Sequence, residues 1–306
     1  MFTGVVGLKR LLVIGASGLL GGKIIDQAKG KFEVFGSCNP AVDGCSTSGL
    51  ESLDMCSESD VRRIFQELDP NIVILAAAMT DVDGCEKNPG LAESVNALGP
   101  SIVAKASREF GARLVHISTD YVFDGNKRDR YIETDATNPI SVYGSSKLHG
   151  ESAVLTELPA AFVARTAVLY GWNPIKSKSN FVTWVLRKLR NGEKATLFND
   201  QWISPTFADD LAGALIGIAG KSASGIWHVA GPDCLDRPTC GRMIAEVFEL
   251  DERLIVPVPS SSVPLPAKRP AYSCMNSSRL EKLLNRQMMP FDESLREMRR
   301  QELSQR

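Results

Sequence analysis

Histidine is scarce in this chain, with three in 306 residues. The seven cysteines (Cys38, Cys45, Cys56, Cys85, Cys234, Cys240, Cys274) are scattered and form no C-x-x-C pair. The ligand spacing of a zinc site is therefore missing, and no metal site is expected. The cysteine count is odd, and a chain of this length buries enough core to fold without covalent staples, which predicts reduced thiols and a cytoplasmic location. No apolar run is long enough to span a bilayer. A formal net charge of -1 gives no bulk attraction to nucleic acid or an anionic membrane. Internal repeats and low-complexity tracts are absent. The opening MFTGVVGLKRLLVIG mixes basic and apolar residues, but its apolar run merges into a glycine turn. It reads as a short leader and a first strand, not as a signal peptide. What is present, 43% hydrophobic and 23% charged residues, fits a soluble globular protein.

The positive signal begins at RLLVIGASGLLGG, residues 10–22. Leu11 to Ile14 read as a buried strand, followed by a glycine turn and a helix starting near Leu19. Gly15, Gly18 and Gly21 recur at every third position. In a strand-turn-helix setting, such glycines permit a tight turn, close approach to a pyrophosphate, and close packing of helix on strand. The amides at the helix start would face the phosphates. A second strand, Phe32 to Gly36, ends in Ser37, Cys38 and Asn39, where the simplest NAD-binding pattern has a carboxylate for the ribose diol. Without that carboxylate a 2′-phosphate is not repelled. NADPH is therefore favoured over NADH, with Lys9, Arg10 and Lys23 as the nearest cations in sequence.

Further along, residues 37–49 read as a loop, Ser59 to Leu68 as a helix with Ser57 or Asp54 as cap, and NIVILAAA (71–78) as a buried strand. The small side chains of Ala76, Ala77 and Ala78 at the end of that strand leave room for a cofactor. Pro89 to Phe110 has helical periodicity and includes Asn96, which requires polar partners if buried. RLVHISTD (113–120) is a strand ending in the hydroxyls of Ser118 and Thr119, with His116 expected in the core. SVYGSSKLHGESAVL (141–155) is a helix on which Tyr143 and Lys147, four apart, share a face. A nearby ammonium favours a phenolate, so Lys147 is expected to lower the Tyr143 pKa. Tyr143 would then give its proton to a carbonyl oxygen that Thr119 also hydrogen-bonds. Arg165 lies on another apolar strand, 160–168. Helices are expected at 181–189, from near Asp209, and at 239–249 with Thr239 as cap, and an ordered loop at 254–274. From about Pro174 the βαβ rhythm stops. The expectation is an α/β protein with a Rossmann-like, doubly wound parallel sheet and a smaller interleaved C-terminal substrate lobe. Residues 1–168 would be mainly the dinucleotide domain and 169–306 mainly the lobe, with segments returning to the first.

Taken together, GASGLLG, HISTDYVFDG and YGSSK resemble the extended short-chain dehydrogenase/reductase superfamily. STDYVFDG, SNF (179–181), DQWISPT (200–206), ADDLA (208–212) and RPAYSCMNSSRL resemble more narrowly the dTDP-4-dehydrorhamnose reductase family, over roughly residues 9–295. The resemblance implies NAD(P)H-dependent reduction of the C4 keto group of dTDP-4-dehydro-L-rhamnose to dTDP-L-rhamnose, a precursor of surface polysaccharide. It implies Thr119, Tyr143 and Lys147 as the catalytic set, with Tyr143 and Lys147 also touching the cofactor. Gly15, Ser17, Gly18, Leu19, Leu20 and Gly21 would form the pyrophosphate loop, with Ser37 at the ribose. Asp54 and Met55 would meet the adenine, and Ala76–Ala78 would form the wall. Asn96 would be structural. Substrate contacts would come from Thr80, Val82, Asp83, Thr119, Asn180, Gln201 and Arg269. Partners would be a nucleotide-linked deoxy sugar and a second copy in a homodimer, with neither nucleic acid nor membrane. The chain departs from the family pattern at Val168, where an aromatic is usual, at Trp202–Ile203 before SPT, and at Met79 and Asp81. The same branch resembles the regulatory β subunit of methionine adenosyltransferase, a non-catalytic alternative. A related nucleotide-sugar reductase or epimerase is another.

Overall fold

Strand side chains alternate between two faces, and here both faces are apolar. In the computed structural model, which describes residues 7–41, 49–173 and 179–304, Leu11 and Val13 of β1 (Arg10–Ile14) join one core cluster, while Leu12 and Ile14 join another. The same alternation divides Ile72 and Ile74 from Val73 and Leu75 on β4 (Ile72–Leu75). A run that is apolar on both sides must be covered on both sides, which is the condition for a parallel sheet with helices on each face.

The sheet has seven parallel strands. β1 is flanked by β2 (Glu33–Cys38) and then the short β3 (Glu51–Ser52) on one side, and by β4, β5 (Arg113–Thr119) and β6 (Phe162–Thr166) on the other. Outside the sheet lie three small pairs. They are β7 (Leu169–Tyr170) with β10 (Thr206–Phe207), β8 (Ala195–Phe198) with β13 (Ile255–Val258), and β9 (Trp202–Ile203) with β12 (Leu235–Asp236). β11 (Gly225–His228) returns to pair with β6. Strand order reverses between β1 and β4, so the carboxyl ends of these strands open onto a crevice.

Among the described residues, nine α-helices cover the sheet faces or build the lobe. α1 (Leu19–Ala28) packs on α8 (Ala208–Ala219), and Leu280 of α10 (Ser278–Leu284) joins their cluster. α2 (Glu58–Leu68), α5 (Gly99–Glu109) and α6 (Val142–Glu157) cover the other face. α7 (Phe181–Arg190), α9 (Arg237–Phe248) and α11 (Phe291–Ser304) enclose a separate lobe core around Tyr170, Leu186, Ile244 and Phe291. The remaining short helices, α3 (Val82–Lys87) and α4 (Pro89–Glu93), lead from β4 towards α5. No helix among the described residues is long and apolar enough to cross a membrane.

Several details depart from the sequence reading. The helix expected over 89–110 is interrupted by a π turn, Ser94–Leu98. α9 starts two residues before Thr239, because the carboxylate of Asp236 accepts from Thr239 N at 2.7 Å and so caps it. The expected loop at 254–274 contains β13, whose pairing with β8 is fixed by tertiary packing. The thiol expectation also fails. Cys234 and Cys274, forty residues apart in sequence, sit with Cα atoms 5.5 Å apart and form a disulfide. Cys38 is likewise disulfide-bonded, Cys56, Cys85 and Cys240 are free, and Cys45 lies outside the described residues.

Candidate active site

The glycine turn closes β1 onto α1. Gly15 adopts φ +92°, and a Cβ at Gly21 would sit 2.1 Å from Gly15 O, so backbone fills the space where a side chain would be. Ser37 O accepts from Gly15 N (3.0 Å) and Ala16 N (2.9 Å), which ties the turn to β2. Gly18 caps α1 without a side-chain acceptor, so no side chain satisfies the amides of the first turn. Ser37 Oγ is buried and has no partner among the described residues. Open amides at a helix start and an orphaned hydroxyl at the neighbouring strand end fit a dinucleotide. Ser17 to Leu20 would hold the pyrophosphate, Ser37 the ribose, and partly exposed Ala76–Ala78, just past β4, the wall. Asp54 follows β3 at the same sheet edge and accepts from Cys56 N at 3.0 Å. Met55 is buried, with its side chain against Gly99. None of the three cations near in sequence is free at Ser37. Lys9 and Arg10 stand at the opposite end of β1, Arg10 beside Glu33 and Asp69, and Lys23 pairs with Asp209 at 3.0 Å.

At the carboxyl end of β5, two strands from β1, lies Thr119. α6 is set against this edge by two caps. Ser141 Oγ accepts from Gly144 N (3.2 Å), and Glu86 of α3 accepts from Val142 N (2.8 Å). Gly150 lets α6 come close to the π turn, since a Cβ there would lie 2.1 Å from Asn96 O. Asn96 is fully buried. Its Oδ1 accepts from Met79 N (2.9 Å), and its Nδ2 donates to Met79 O (3.0 Å) and to Ser146 Oγ (3.0 Å). The polar partners required of this residue are all present.

This frame brings Thr119, Tyr143 and Lys147 together. Lys147 is buried, and its Nζ donates to Ile117 O at 2.7 Å. Burial lowers its pKa to about 8, opposed by the Glu151 carboxylate one turn on. Glu151 is itself buried. It accepts two bonds from Arg165 (2.8 and 2.7 Å) and one from Ser118 Oγ (2.5 Å), so α6 is locked to β5 and β6. Tyr143 is partly exposed as a residue, yet enough protein surrounds its hydroxyl for burial to push the phenol pKa up, opposed by Thr119. The expected lowering by Lys147 does not appear: burial sets the direction, and the ammonium is engaged with Ile117 O. Tyr143 is held protonated, the form a proton donor needs. The Tyr121 ring meets it edge-on, with centroids 5.6 Å apart. His116 is buried and kept neutral by burial, a core residue as the strand position implied.

Sequence reasoning singled out neither Asp120 nor Arg237. Asp120 is buried. Its Oδ1 accepts from Thr119 Oγ1 at 3.1 Å, and its Oδ2 has no partner among the described residues. Burial raises its pKa to about 6, opposed by Ser273 and Thr119. Its place directly after Thr119 was the available signal. Of the expected substrate residues, Asp83 and Arg269 pair with each other in a two-pronged bridge, 2.7 Å on each arm, and Asp83 also accepts from Ala267 N. Gln201 is buried and accepts from Arg237 Nε at 2.9 Å. The Asn180 side chain caps α7, accepting from Thr183 N (3.1 Å) and donating to Gly171 O (2.8 Å), so its amide is taken up by the fold. Val82 opens α3, and Thr80 is exposed beside it. Val168, where the family pattern has an aromatic, adopts φ +35°, an outlying conformation for a β-branched residue.

Comparison with known proteins agrees with this geometry. The family model described as RmlD substrate binding domain matches residues 9–303. The dTDP-4-dehydrorhamnose reductase of Mycobacterium tuberculosis is 38% identical over 277 residues, covering 88% of this chain and 85% of that one. The crystal structure of a dTDP-4-dehydrorhamnose reductase from Clostridium acetobutylicum superposes with a TM-score of 0.86 at 32% identity, over 97% of this chain and all of that one. The enzyme of that name from Bacillus anthracis, crystallised in complex with NADP, gives the same TM-score at 30% identity, over 96% of this chain and 99% of that one. With matches that run through the glycine turn, the helix of Tyr143 and Lys147 and the lobe alike, this chain belongs to the dTDP-4-dehydrorhamnose reductase family of the extended short-chain dehydrogenase/reductase superfamily.

Proposed function

We propose that this protein reduces the C4 keto group of dTDP-4-dehydro-L-rhamnose to give dTDP-L-rhamnose, using NADPH in preference to NADH. The observation that carries the reading is the meeting of Thr119, Tyr143 and Lys147 at the same sheet edge as an uncapped glycine turn. When bound, the dinucleotide would supply a hydride to the carbonyl carbon. The protein's own part is to deliver a proton to the carbonyl oxygen. Tyr143, held protonated by burial, donates it, and Thr119 orients the oxygen by a hydrogen bond. Lys147, on the helix that carries Tyr143 and fixed by its bond to Ile117 O, would hold the ribose of the dinucleotide. NADPH is preferred because no carboxylate occupies Ser37–Asn39 to repel a 2′-phosphate. The purified protein, mixed with dTDP-4-dehydro-L-rhamnose and NADPH, should consume the cofactor's near-ultraviolet absorbance, and more slowly with NADH. Tight dinucleotide binding without turnover would overturn this reading in favour of a regulatory subunit.

A further inference from the structure

We propose that Arg237 is the cation that holds the diphosphate of the nucleotide-linked sugar. This inference rests on the reading above, since it assigns a further residue to that substrate. A diphosphate brought into a partly buried cleft needs a cation whose charge is not already neutralised. Arg269 does not meet that condition, because both arms of its guanidinium lie on Asp83. Lys147 is engaged with Ile117 O at the reacting end of the site.

Arg237 is different in each respect. It is partly buried, it has no ion-pair partner among the described residues, and only its Nε is taken, by the buried Gln201. The two terminal nitrogens remain for an anion. The guanidinium lies over the Phe181 ring, 5.1 Å from its centroid, so packing fixes its plane. The neighbouring Asp236 is engaged as the α9 cap, through Thr239 N. Asp120 and Tyr121 beside the catalytic set feel the Arg237 charge through space, which places it on the reaction side of the cleft. An arginine at the first position of α9 also opposes the helix dipole, a local cost with no return inside the helix. β9 and β12 pair antiparallel, Trp202 opposite Asp236, and this pairing keeps Gln201 and Arg237 adjacent.

The test is calorimetric titration with dTDP, thymidine and inorganic pyrophosphate, on the wild type and on Arg237→Gln. Arg237→Gln should weaken dTDP and pyrophosphate about 10- to 100-fold while leaving thymidine and NADPH binding in place. Retained NADPH binding shows that the variant is folded. Arg237→Lys should recover part of the loss, and Gln201→Met should give a smaller loss of the same kind. Equal dTDP binding by Arg237→Gln and wild type, or a parallel loss of thymidine, would overturn the assignment. A wild type that binds NADPH and pyrophosphate but not dTDP would instead overturn the proposed substrate. In that case the pyrophosphate comparison still decides whether Arg237 is an anion site.

Discussion

The proposed cofactor edge and the proposed substrate cleft of this protein are built in opposite ways. The first comes from one continuous stretch: β1, the turn at Gly15 and the start of α1 present backbone amides, with Ser37 from the next strand. The second is gathered from Asp83, Asp120, Gln201, Arg237 and Arg269, on elements far apart in sequence, and held by the Asp83–Arg269 bridge and the Cys234–Cys274 disulfide. A site made of backbone depends on space. One made of converging side chains depends on the charges that surround each of them.

Four experiments would break or sharpen this contrast. The largest effect is expected at the meeting point of the two regions. Tyr143→Phe should lower kcat about 10²- to 10⁴-fold with dinucleotide affinity nearly unchanged, because it removes only the proton-donating hydroxyl. Turnover at the wild-type rate would refute the assignment. Next comes the cleft's covalent tie. Cys234→Ala/Cys274→Ala should destabilise the protein by about 2–4 kcal/mol in a urea melt and raise KM for the nucleotide sugar more than for NADPH. An equal rise in both would show that the two regions are not separable.

The third experiment concerns Asp120. With its pKa raised to about 6 against an ordinary 3.8, the folded state holds more protons than the unfolded between those values. Its contribution is therefore fully favourable below pH 3.8 and is lost as pH rises through 6, by at most about 3 kcal/mol. The difference in stability between wild type and Asp120→Asn should follow that curve, and a flat difference from pH 4 to 7 would contradict it. The smallest effect is expected from Gly21→Ala, which places a methyl against Gly15 O. It should cost about 1–3 kcal/mol and weaken the dinucleotide, with dTDP binding spared.

The same contrast explains what the sequence made legible. The strand-turn-helix and the Tyr143–Lys147 pair are local patterns, with a spacing set by helix and strand geometry, and they stand where the sequence placed them. Asp120 is local too, but its burial comes from the packing of α6 against the turn that carries it, so its raised pKa had no trace in the chain. Arg237 fell just before the helix expected over 239–249 and carried no signal of its own. Only the pairing of β9 with β12 sets it beside Gln201. The Cys234–Cys274 bridge had no spacing to announce it. Asn180 shows the converse, because a motif resemblance does not tell that its amide caps α7.

The π turn at Ser94–Leu98 has a consequence in helical phase. An α-helix advances about 100° per residue, so one extra residue in a turn rotates everything beyond it by about that angle relative to what came before. α4 therefore addresses α6 and α3, while α5 beyond the turn also reaches α2 and β5. Deleting Ser94 or Val95 would rewind the segment and swing Asn96 away from Met79. Both main-chain groups of Met79, at the mouth of the crevice beyond β4, would then have to find new partners.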